Sequence, residues 1–264
     1  MEPVRINILS DSPIATTYRF VKAIRSIKFI QTHDLQPIMD ALPHLKLREG
    51  YILDHYQVGE RRNSVCRFYV RKRDAQEKYD PPYLDLFDTF LGRYYSKKKV
   101  SSEEEERMLN EYRNPLAYRD DQYIEGTISH YAAKTVPRIQ DYISCEFTPV
   151  AIWESLLLFE EASRYLPHVW HGGYARGRLV VNSEILTQCA ASAGREYVKY
   201  LNDSRIKPSI EIVDETTAQV QYCYWSNWRG LTLITTKAIR ERENVSFEDV
   251  GEERLIEYDC GIRF

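Results

Sequence analysis

Paired cysteines, long apolar runs and glycine-rich loops are all missing from this 264-residue sequence, and each absence removes a class of protein. The five cysteines, Cys66, Cys145, Cys189, Cys223 and Cys260, are odd in number, widely spaced and never in a C-x-x-C pair. That argues against a disulfide scaffold and supplies no thiolate zinc site or dithiol redox motif, so buried thiols in a reducing compartment are expected. No stretch approaches the roughly 20 apolar residues of a membrane-spanning helix. The opening residues, MEPVRINILSDSPIATTYRF, lack the basic-then-apolar order of a secretory signal. The expected setting is therefore cytoplasmic, with no membrane contact.

Catalytic signatures are equally scarce. There is no glycine-rich phosphate loop of either common type, no H-E-x-x-H and no G-x-S-x-G. This takes the simplest enzyme classes out of the front rank and leaves those whose sites are assembled from distant residues. No cofactor is expected. Nor is there an excess of one charge, since 36 Lys and Arg stand against 39 Asp and Glu, a formal net charge of −3. This argues against a surface built throughout for nucleic acid and leaves room for a local basic patch. Repeats, low-complexity linkers and composition breaks are absent too. The chain reads as a single α+β domain over 1–264, with 74–147 open as a helical insertion.

What is present centres on Thr148 to Val181. Thr148 is suited to cap a helix and Pro149 to occupy its first position, while Pro167 closes it. Between them Ile152, Trp153, Leu156, Leu157, Phe159 and Leu166 form a wide apolar stripe, opposite Glu160, Glu161 and Arg164. Beyond Pro167, Gly172 and Gly173 permit a turn that delivers His168, Trp170, His171, Tyr174, Arg176 and Arg178 ahead of a strand, Leu179–Val181. Read as a catalytic site, His171 is the acid or base, Arg176 and Arg178 hold an anion, and Tyr174 positions the substrate. Read structurally, Trp170 and Tyr174 pack on the core and His171 satisfies a buried carbonyl. His168 and His171 stand three apart without a recognisable third ligand, so no metal site is assigned.

Alternation marks the strands. YILDHYQV and SVCRFYVR flank GERRN as a β-hairpin within 51–71. In its second strand Cys66, Phe68 and Val70 share one face, and Arg67, Tyr69 and Arg71 the other. With Lys72 and Arg73 this second face has the composition to track a phosphate backbone, with a base stacked on Tyr69. It has equally the composition of a solvated sheet face. Helical spacing covers Ile14–Ile30, Asp34–Leu42 and Ser183–Tyr200, and a capping box at Ser102 and Glu105 begins an exposed helix.

The last 57 residues read almost entirely as strands. Ala218, Val220, Tyr222 and Tyr224 line one face, opposite Gln219, Gln221, Cys223 and Trp225. Ser226–Gly230 connects to a returning strand, and Ile256, Tyr258, Cys260, Ile262 and Phe264 alternate to the end. The expected architecture is α+β, with helices mainly in the first three quarters packed on an antiparallel sheet that a C-terminal β-meander completes.

Tyrosine is over-represented, 20 against nine phenylalanines, which suits half-buried faces and interfaces. Trp170, Tyr224, Trp225, Trp228 and Arg229 have the composition of a binding hot spot. The leading expectation is thus an intracellular protein-binding protein, an adaptor, inhibitor or immunity-type partner without catalysis of its own. The alternative is a hydrolase or nuclease-like enzyme using His171, Arg176 and Arg178 on a phosphate-bearing or nucleic-acid substrate.

Overall fold

The structure, a computed structural model, describes residues 12–27, 34–58, 65–74, 139–162, 177–194 and 196–261. Two helices come first, α1 (Ser12–Ser26) and α2 (Gln36–Asp40). Pro37 sits in the first turn of α2, where its missing N–H costs no hydrogen bond. Strands β1 (Leu45–Leu47), β2 (Tyr51–Val58) and β3 (Val65–Lys72) follow. β2 and β3 form the expected antiparallel hairpin, with Asp54 opposite Tyr69. β1 pairs instead with β4 (Ile143–Cys145), a contact of high sequence separation that no local pattern announces.

Helix α3 (Pro149–Leu156) starts as its sequence dictates. The Thr148 hydroxyl accepts from the Ala151 amide, and Pro149 lies in the first turn. The helix then widens into a π-turn over Leu157–Glu161, a departure from the regular periodicity expected up to Pro167. Trp153, fully buried, fixes α3 on two sides. Its indole N–H donates to Thr17 Oγ1 of α1 at 3.1 Å, and its ring meets that of Tyr222 edge-on, centroids 6.2 Å apart. Truncating a side chain so placed costs about 3–5 kcal/mol.

The main sheet contains β5 (Arg178–Val180), β6 (Ser209–Ile212), β7 (Thr217–Ser226), β8 (Gly230–Glu241) and β9 (Asn244–Ile256). All pairings are antiparallel. β5 and β6 share one edge of β7, and β8 and β9 complete a meander on the other. Ala218, Val220, Tyr222 and Tyr224 are buried on the face that α3 covers, as the alternation predicts. Across the sheet, Cys223 donates its thiol to the Arg205 carbonyl at 3.3 Å, and Tyr200 Oη donates to the Leu255 carbonyl at 2.6 Å. The chain is α+β, its helices preceding the C-terminal meander.

Two expectations are corrected. The helix expected over Ser183–Tyr200 is α4 (Ser183–Ala190) followed by 3-10 turns at Ala191–Ala193 and Glu196–Tyr200. Gly194, with φ of 74° and ψ of −148°, separates the two turns in a conformation that is essentially open to glycine alone. The terminal strand begins earlier than its alternation suggested and stops at Ile256. Tyr258 instead stacks on Trp225, centroids 5.5 Å apart, and the Cys260 amide donates to the Asn227 carbonyl at 2.8 Å. The strand expected at 3–9 and the helices expected between 75 and 138 lie outside the described residues.

Candidate functional site

The exposed end of the meander carries four carboxylates within six residues, Glu248, Asp249, Glu252 and Glu253. From Glu248 to Arg254 every residue of β9 is exposed, seven in succession. A strand with one covered face alternates, so an unbroken exposed run means that both faces and the outer edge meet solvent. The ladder with β8 skips Val250: Gly251 faces Thr235, and Asp249 faces Thr236. Val250 is thus a bulge residue, 63% exposed in the middle of Glu248, Asp249, Glu252 and Glu253.

Two of those four carboxylates are neutralised by neighbouring loops. Arg229, from the turn between β7 and β8, donates to Glu252 and, at 3.1 Å, to Tyr224 Oη. The hydrogen bond to Glu252 raises the Arg229 pKa. On the opposite face Arg205 lies 3.3 Å from Glu253 and 2.8 Å from Asp203. Glu248 and Asp249 have no ion-pair partner among the described residues.

The aromatic cluster beside this edge divides by depth. Tyr224 and Trp225 are buried, and Trp225 donates its indole N–H to Asn227 Oδ1 at 3.2 Å. Trp228 and Arg229 are half-buried at the turn, where the amides of both donate to Ser226. Gly230 closes the turn with φ of 76° against the backbone of Ile256 and Tyr258. Tyr224 and Trp225 therefore shape the site from beneath, while Trp228 and Arg229 reach its surface. Trp170 lies outside the described residues.

The basic face expected on β3 meets a buried carboxylate. Asp54, fully buried on β2, accepts from Arg71 Nε at 2.7 Å and from the His55 amide at 2.7 Å. Burial pushes its carboxyl up, but the hydrogen bonds from His55 and Arg71 outweigh that and hold it below the ordinary value. Arg71 is thereby committed inward, whereas Lys72 and Arg73 are exposed. Arg67 and Tyr69 are described by their backbone alone.

Of the catalytic set, Arg178 is described, and its guanidinium donates to Gln188 Oε1 on α4 at 3.2 Å. His171, Tyr174 and Arg176, like His168, lie outside the described residues. Among the described residues no three His, Cys, Asp or Glu side chains gather as metal ligands. No helix there is long and apolar enough to cross a membrane.

The acidic edge was legible only as composition, in the run FEDVGEER. Its exposure depends on β9 being an edge strand, which is a property of the assembled sheet. Compared with protein-family models, curated proteins and solved structures, the chain matches none.

Proposed function

We propose that this is an intracellular protein-binding protein, an adaptor, inhibitor or immunity-type partner that captures a basic protein surface. The observation that supports it is Val250, an apolar side chain displayed at a bulge beside the unpaired carboxylates of Glu248 and Asp249. An apolar centre within a charged rim is the anatomy of an interface, and Arg229 and Trp228 at its margin are residue types that anchor one. The same bulge and charges hinder the addition of another strand, so the partner is recognised by side chains. The free thiols of Cys145, Cys189, Cys223 and Cys260 suit a reducing compartment.

The test is capture from the native host by the tagged chain and by a Glu248→Lys/Asp249→Lys/Val250→Ser variant of matched circular dichroism. A basic protein recovered stoichiometrically by the first and lost by the second supports the reading. Equal recovery by both removes this site, and recovery of salt-sensitive nucleic acid alone removes the protein-binding reading.

A further inference from the structure

A groove of about 610 Å³ opens between α2, β1 and the turn that joins β1 to β2. Ligand sites commonly fall between about 300 and 1,000 Å³. Its apolar lining includes Met39 and Leu45, both buried, together with Leu47.

Four charged residues also line this groove, Asp40, Arg48, Glu49 and Arg73. No ion pair joins any two of them. Arg73 faces Asp34 at 3.4 Å, a pair exposed on both sides. Arg48 is held from behind, its guanidinium donating to the Asp141 carbonyl at 2.9 Å and lying 4.8 Å from the Tyr142 ring centre. Tyr142 in turn packs on Tyr51, centroids 4.6 Å apart. The cation is thus oriented before any ligand arrives.

A simple anion entering this groove meets Asp40 and Glu49, and a simple cation meets Arg48 and Arg73. An uncharged apolar ligand offers none of the four charges a partner in place of the water it displaces. The chemistry that satisfies the whole lining is an apolar body with one charge of each sign.

We propose that this groove binds a short zwitterionic peptide. Its side chains rest on Met39, Leu45 and Leu47, its carboxylate meets Arg48 or Arg73, and its ammonium meets Asp40 or Glu49. The site is separate from the acidic edge and does not depend on the function proposed for it.

The experiment titrates the ¹⁵N-labelled 264-residue chain with leucyl-leucine, with its N-acetylated and C-amidated form, and with inorganic phosphate. Expected is saturable binding near or below about 1 mM, with amide shifts at Leu45, Leu47 and Gly50. The doubly blocked peptide should bind about ten-fold more weakly, as should leucyl-leucine to Arg48→Gln and to Glu49→Gln. Because Arg48 also packs on Tyr142, Glu49→Gln provides the variant that leaves the fold untouched. Absence of saturation, equal binding of the blocked peptide, or phosphate binding as tightly as the dipeptide would overturn the proposal.

Discussion

Glu154, fully buried on α3, accepts two hydrogen bonds from His44: Oε2 from its amide and Oε1 from its ring Nδ1, each at 2.8 Å. A carboxylate in the most apolar helix thus clamps the turn that leads into β1. Glu154→Ala should cost about 3 kcal/mol, because a cavity is left in the core and the His44 amide loses its acceptor. Glu154→Gln, which keeps one carbonyl acceptor, should cost about half as much. Urea denaturation of the two variants checks this ordering, and a wild-type midpoint for Glu154→Ala would contradict it.

Asp54 predicts an acid limb. Its folded pKa lies below the unfolded value of 3.8, so its contribution is complete above that value and is lost as pH falls through the folded pKa. Stability should therefore fall below about pH 4. In Asp54→Asn that limb should flatten, while stability at neutral pH drops by about 3–5 kcal/mol because Arg71 is left unpaired. Chemical denaturation of wild type and variant across pH 2–7 measures both effects.

Gly230 should tolerate no side chain. A Cβ there would strike the Ile256 carbonyl oxygen and stand 2.8 Å from the Tyr258 amide, and φ is already 76°. Gly230→Ala should cost at least about 2 kcal/mol, whereas Gly251→Ala, with open space around it, should cost less than about 1 kcal/mol. Thermal unfolding of the pair separates the close approach from a general effect of glycine replacement.

Cys223 should be inert in the folded chain. Burial pushes its thiol up to about 12, so almost no thiolate exists at pH 8. Iodoacetamide labelling followed by peptide mass spectrometry should modify Cys260 before Cys223, and Cys223 only after denaturant is added. Early modification of Cys223 would show that this face of β7 opens readily.

The parts of this fold that follow from neighbours in sequence were readable in advance. Thr148 and Pro149 announce α3, and the alternation from Ala218 to Gln221 matches the observed burial, whereas from Tyr222 to Trp225 both faces of the strand are covered. The parts that follow from distant pairing were not. β1 acquires its strand character from β4, and Glu154 is tolerable in an apolar helix because His44 comes to it. The same holds at the candidate site. Trp228 and Arg229 were visible as residue types near a turn, but the acidic edge is created by the position of β9 in the sheet. Arg71 looked free for phosphate in the sequence, but Asp54, on the neighbouring strand, shares its face across the hairpin and binds it.

Val250, skipped by the ladder, gives this strand a length tolerance that its neighbours lack. Deleting any other β9 residue from Asn244 to Phe247 would shift the alternation that buries Val245 and Phe247. Deleting Val250 would leave every recorded pairing on either side intact, joining Asp249 directly to Gly251. The exposed edge can therefore lose Val250, or carry a different side chain there, without the sheet being re-threaded, and its surface can change while the scaffold stays fixed.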